Sequence, residues 1–134
     1  MFATKLRNFL VLAVVCLFLS FFLAFFLSLC RHRYAVIGGG HHNEALARVS
    51  VIGGGKANTV TAYGAFIGGG GVEDAVDAVN AVGNFASGQW SSIVAGFSNR
   101  ALGDFGSVGG GTSNTASDDY STVGGGDSNT YVGM

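Results

Sequence analysis

Few residues in this chain of 134 have the types and spacing that chemistry requires. His41-His42-Asn43-Glu44 joins two imidazoles to a carboxylate, the donor set of a transition-metal site. Adjacent side chains on an extended or cornered backbone are expected to point apart, and the remaining histidine, His32, lies next to an apolar run. Exposed turn residues are therefore the expected role. Glu73, Asp74 and Asp77 form an oxygen-rich cluster of the kind that could hold Ca²⁺, but without the spacing of an EF-hand loop. The GGG runs invite a phosphate-binding reading. Gly55-Lys56 is followed by Ala57, and Ser50 stands five residues before Gly55 where a Walker loop needs Gly. Gly38-x-Gly40 and Gly53-x-Gly55 both meet Asn where a dinucleotide loop has its last Gly. No G-x-S-x-G elbow is present, and only His41 and His42 could serve as a base in the body. These patterns predict a protein that is not an enzyme and that has no resident cofactor or metal.

The elements that carry these residues divide sharply. Residues 1–33 contain Lys5, Arg7, Arg31 and Arg33 and no acid, a charge of +4. Residues 34–134 set Arg48, Lys56 and Arg100 against eight acids, a charge of −5. The acidic body disfavours nucleic acid as a partner. All 23 glycines follow Ile37, and Pro is absent. So much Gly argues against a helical bundle. Cys16 and Cys30 both lie in the greasy head, so the body cannot be a disulfide scaffold.

Phe9 to Cys30 is a run of 22 residues without a charge. As a helix it would span roughly 33 Å, enough for a hydrocarbon core of about 30 Å. A signal peptide has a shorter apolar region ending in a small-x-small site, and Leu27-Ser28-Leu29-Cys30 offers a poor one. The expected organisation is a basic tail at 1–8, a transmembrane signal-anchor helix at 9–30, a juxtamembrane linker at 31–36, and a repeat domain at 37–134. Cleavage and secretion is the alternative. Either way the body crosses a membrane to the extracytoplasmic or cell-surface side.

From Ile37 the chain reads in blocks of fifteen: IGGGHHNEALARVSV, IGGGKANTVTAYGAF, then IGGGGVEDAVD, which stops after eleven. The phase resumes at Ala78 with AVNAVGNFASGQWSS and continues through IVAGFSNRALGDFGS, VGGGTSNTASDDYST and VGGGDSNTYVGM. Asn recurs at position seven as Asn43, Asn58, Asn84, Asn99, Asn114 and Asn129, with Glu73 as the exception. Position nine holds Ala45, Val60, Ala75, Ala86, Ala101 and Ala116, and position thirteen holds Trp90, Phe105 and Tyr120, with Tyr34 in the same phase. A fifteen-residue unit is too short for a helical-hairpin or leucine-rich repeat but fits one rung of a parallel β-solenoid. Six or seven rungs are predicted, irregular at 71–81. Gly at positions two to four and Asn at seven would supply corners, because both tolerate positive φ. Residues thirteen to fifteen and one would form strand pieces. The Asn column is either a side-chain hydrogen-bond ladder or a row of turn formers.

Asn84-Phe85-Ala86-Ser87-Gly88-Gln89-Trp90-Ser91-Ser92-Ile93 reads N-x-A-S-G-x-x-S-x-I, and Asn114–Ser117 with Tyr120–Gly124 repeats it. This resembles the head repeats of YadA-like trimeric autotransporter adhesins, and Gly-rich surface proteins with tandem YSTVGGG units. The resemblance covers roughly residues 34–134. It implies an all-β, left-handed parallel β-roll that forms a homotrimer and binds an extracellular or host surface. The unit of fifteen is one longer than the family's usual repeat, and the anchor is N-terminal. The aromatic column Trp90, Phe105 and Tyr120 is the expected oligomer stripe, since an exposed apolar stripe on a monomer is a liability. A monomeric lattice- or ice-binding solenoid would need matched Thr on successive rungs, which position eight lacks. A disordered Gly-rich spacer is the other alternative.

Overall fold

The computed structural model describes residues 29–30, 34–71 and 83–133. Among them are thirteen two-residue strands: β1 (Leu29–Cys30), β2 (Val36–Ile37), β3 (Glu44–Ala45), β4 (Val51–Ile52), β5 (Thr59–Val60), β6 (Phe66–Ile67), β7 (Phe85–Ala86), β8 (Ser92–Ile93), β9 (Arg100–Ala101), β10 (Ser107–Val108), β11 (Thr115–Ala116), β12 (Thr122–Val123) and β13 (Thr130–Tyr131). Odd-numbered strands stack into one parallel sheet and even-numbered strands into a second. The protein is an all-β parallel β-solenoid of about six fifteen-residue rungs, each contributing one strand to each sheet.

The period produces this register directly. Val36 pairs with Val51, Val51 with Phe66, Ser92 with Ser107 and Ser107 with Thr122, so each column of the repeat becomes a row along the stack. The inward rows are Ile52, Ile67, Ile93 and Val108 from one sheet, and Ala45, Val60, Ala86, Ala101 and Ala116 from the other. One branched aliphatic facing one small residue per rung makes a thin core. The sheets can close on each other because the facing Ala is short. Leu29–Cys30, expected at the end of a helix, are instead the first strand of the odd-numbered sheet, paired with Glu44 and Ala45. The rest of the expected anchor, 9–28, lies outside the described residues. No helix among the described residues is long and apolar enough to cross a membrane.

The irregularity sits elsewhere than at a shortened unit. β5 pairs directly with β7, Thr59 facing Phe85 and Val60 facing Ala86. Asn84 follows Asn58 in the ladder at a separation of 26 residues, where the other steps are 15. The excess of 11 is accommodated between Gly71 and Gly83, at residues 72–82. Ile67–Gly71 and Gly83–Ser92 therefore form one rung. Glu73 is not the seventh residue of a unit, nor Ala75 the ninth, and Asn84 makes the Asn column unbroken. The reason lies in the corner. Its fourth position takes positive φ and leaves no room for a Cβ; Gly70 meets both demands, whereas the alternative alignment would put Ala81 there.

Two corners join the sheets. Positive φ falls at position four, always Gly (Gly40, Gly55, Gly70, Gly96, Gly111, Gly126), and at position six (His42, Ala57, Ser98, Ser113, Ser128). At the opposite corner it falls at position thirteen: Tyr34, Val49, Gly64, Trp90, Phe105 and Tyr120. The Asn column, expected to take positive φ, does not. Position thirteen, expected in a strand, is the corner itself. At both sites the left-handed residue turns its N–H back onto the preceding rung. Ala57 donates to the His41 carbonyl at 3.0 Å, Phe105 to Gln89 at 2.8 Å and Tyr120 to Asp104 at 2.8 Å. These bonds hold L-residues in a conformation that otherwise costs about 1–2 kcal/mol each.

Candidate functional site

The two residue rows singled out in the sequence end in opposite environments. Asn43, Asn58, Asn84, Asn99 and Asn114 are buried. Each Oδ1 accepts from both the backbone N–H and the Nδ2 of the next Asn, as Asn99 does from Asn114 at 3.0 and 3.2 Å. Each interior Nδ2 also donates to the third-position carbonyl of its own rung and the fourth-position carbonyl of the next. For Asn114 these are Gly110 at 2.9 Å and Gly126 at 2.8 Å. Of the two roles open to the column, the hydrogen-bond ladder is the one present. It supplies a donor to the third-position carbonyls and a second one to the fourth-position carbonyls, which already accept a backbone N–H, as Gly111 does from Phe97 at 2.9 Å. Asn84 makes the same bonds across the insertion, to Gly69 at 3.0 Å and Gly96 at 2.9 Å. The row is structural and offers no free polar group to a ligand along its interior.

Position thirteen is outward. Trp90 and Phe105 are half-exposed, and Tyr120 and Tyr34 are three-quarters exposed. Phe105 and Tyr120 stack with ring centroids 5.1 Å apart and planes within 2°. This follows from rungs repeating at about the strand spacing. One rung earlier the column has Gly64, and the Trp90 indole lies over it, leaving no room for a Cβ there. Tyr63 then fills the row from position twelve, edge-on to Trp90 at 5.1 Å. The stripe is thus Tyr34, Val49, Tyr63, Trp90, Phe105 and Tyr120, longer than the three residues picked out by phase alone. Tyr63 was missed because it is one position out of register. The Gly-for-aromatic exchange at 64 was the available signal.

Carboxylates edge the later part of this corner. Asp104 Oδ1 accepts from the Gln89 N–H at 2.8 Å, and Asp119 Oδ1 from the Asp104 N–H at 2.9 Å. They cap backbone donors at position twelve. Beside them Ser117, Asp118, Asp119, Tyr120, Tyr131 and Gly133 line an open recess.

The remaining candidates fall as follows. His41 and His42 do not diverge: their ring centroids are 3.8 Å apart, because positive φ at His42 turns both side chains outward at the corner. His41 and Lys56 form a parallel backbone bridge across rungs. Glu73, Asp74 and Asp77 lie outside the described residues. Among the described residues no three His, Cys, Asp or Glu side chains converge as a metal-binding group. The outward row at position eight runs Glu44, Thr59, Phe85, Arg100, Thr115 and Thr130, with Arg100 over the Phe85 ring at 5.3 Å. An ordered Thr lattice is not formed. In comparisons with known proteins, no family model, curated protein or solved structure matches this chain.

Proposed function

We propose that the chain is a membrane-anchored, surface-displayed repeat protein with a structural or adhesive role, assembled as a homotrimer. The observation that carries this reading is the corner column. Five of its six positions, Tyr34, Val49, Trp90, Phe105 and Tyr120, hold large apolar side chains at a backbone conformation suited to Gly or Asn, and leave them exposed. Backbone strain kept together with exposed aromatic surface points to use of that surface. Trp90, Phe105 and Tyr120 are the contact residues between copies, and three copies related by a rotation axis bury these three side chains. The left-handed coil implied by the YadA-like resemblance belongs to the same proposal.

The apolar run up to residue 28, ahead of β1, anchors the assembly, with secretion after cleavage as the other route outward. The repeated outer faces meet an extracellular or host surface, where weak contacts on three chains add through avidity. Chemical crosslinking and sedimentation of the full chain in mild detergent test the assembly. A trimer is expected, and conversion to monomer when Trp90 and Phe105 are both replaced by Ser. A strictly monomeric parent chain would sink the trimer. A coil-like far-UV circular dichroism spectrum would instead favour an unstructured spacer.

A further inference from the structure

The outward face of the even-numbered sheet changes character along its length. Its first three rows present Val36, Val51 and Phe66, stacked in register with one another and flanked two residues on by the bare glycines Gly38, Gly53 and Gly68. The later rows present Ser92, Ser107 and Thr122, and Val94 is the one large apolar side chain of that face beyond Phe66. Tyr34, Val49 and Tyr63 extend the apolar end around the adjacent corner. Val36 is 52% exposed, Phe66 41% and Tyr63 42%, so this is open surface.

Charge follows the same gradient. Arg48 and Lys56 lie in the early rungs, with Arg31 and Arg33 just before Tyr34, and only Glu44 opposes them ahead of residue 67. Beyond it Arg100 stands against Glu73, Asp74, Asp77, Asp104, Asp118, Asp119 and Asp127. The uncharged run starting at Phe9 ends in β1, inside the solenoid's first rung.

We propose that the apolar outer face of the first rungs, Val36, Val51 and Phe66 with Tyr34, Val49 and Tyr63, docks on the surface of an anionic lipid bilayer. This rests on the anchored reading of residues 9–28 and adds to it a second, reversible contact. Aromatic rings and Val seat at the headgroup boundary, and Arg48, beside Val49 at the same corner, meets lipid phosphates. The acidic far end is repelled and projects outward. The trimer contacts Trp90, Phe105 and Tyr120 belong to the later rungs, and Tyr63, edge-on to Trp90 at 5.1 Å, marks the boundary between the two surfaces.

The test uses the full chain in vesicles, with Trp90→Phe removing the native tryptophan and a single reporter introduced as Phe66→Trp or, for comparison, Thr122→Trp. In vesicles containing phosphatidylglycerol, the reporter at 66 is expected to emit several-fold more strongly quenched by brominated lipid than the reporter at 122. Salt at about 1 M, where the Debye length falls to about 3 Å, is expected to reduce the difference, as is Arg48→Glu. Equal quenching at 66 and 122 overturns the proposal. A blue-shifted reporter at 66 that brominated lipid does not quench, together with a crosslinked species, assigns the face to a second copy and overturns it also. Equal quenching in vesicles of phosphatidylcholine alone overturns the requirement for anionic lipid. Failure of the chain to float with vesicles after an alkaline wash marks a failure of the anchor itself, which removes the premise of this docking too.

Discussion

Asn99 shows how much one side chain does in this molecule. Its Nδ2, with two hydrogens, is shared among the oxygens of Ala95, Gly111 and Asn84, and its Oδ1 accepts from two donors on Asn114. Asn99→Ala removes the partner of the Asn114 N–H and of the Ala95 carbonyl and leaves a gap in a buried ladder. It is expected to lower unfolding free energy by about 2–4 kcal/mol, read as a shift in denaturant midpoint. Asn129, exposed at the last rung, is expected to lose well under half as much on the same change. Asn99→Asp should be at least as damaging as Ala, because a carboxylate has no donors for the Gly111 and Ala95 carbonyls and would bury charge. Glycines divide the same way. A Cβ on Gly55 would overlap the Gly70 carbonyl and come within 2.8 Å of Asn58 Nδ2, at φ +93°. On Gly54 it would meet nothing nearer than 3.9 Å, and Ala95 already occupies the equivalent place. Gly55→Ala is therefore expected to destabilise by about 3 kcal/mol or more, and Gly54→Ala to be neutral or to stabilise by up to about 1 kcal/mol through the unfolded chain. Thermal melts of the pair provide the check.

At the scale of the rung, the element is a closed loop of two short strands and two corners, and its tolerance of change is set by where it is interrupted. Gly71 and Gly83 occupy successive positions of one corner, the places that His41 and His42 hold in the first rung. Excision of residues 72–82 joins them by a single peptide bond. The excised chain is expected to keep its β-type circular dichroism and a melting temperature within a few degrees of the parent, because Asn84 already bridges to Asn58 and Gly69. A collapse of the spectrum would show that the insertion holds the rungs together. The corner at position thirteen has slack in the other direction. Val49 is β-branched at φ +59°, and Val49→Asn is expected to raise stability by up to about 1 kcal/mol by relieving that strain.

Across the whole molecule, the rungs sum to a rod with a gradient rather than a uniform fibre. Basic and apolar surface gathers at its first rungs, acidic and hydroxyl-bearing surface at its last, and the aromatic corner runs along one edge. Trimer formation and lipid docking use different stretches of this rod. Trp90→Ser with Phe105→Ser is accordingly expected to abolish the crosslinked trimer while leaving the quenching of a reporter at 66 unchanged.

The sequence by itself determined the period, the parallel register and most of the core, because a constant spacing of like residues can be satisfied only by stacking each column on itself. The six Asn, the Ile/Val row and the Ala row were legible for that reason. So was the phase on either side of the insertion. Tertiary structure decided what a residue count along the chain does not contain. It placed the excess at 72–82, since the corner selects Gly70 over Ala81 by the space beside a neighbouring rung's carbonyl. It made Asn a ladder rather than a turn, because its partners are 15 or 26 residues away and exist only once rungs stack. It put Trp90, Phe105 and Tyr120 on a left-handed corner instead of in a strand, a choice settled by hydrogen bonds to the preceding rung and not by the local preference of an aromatic residue.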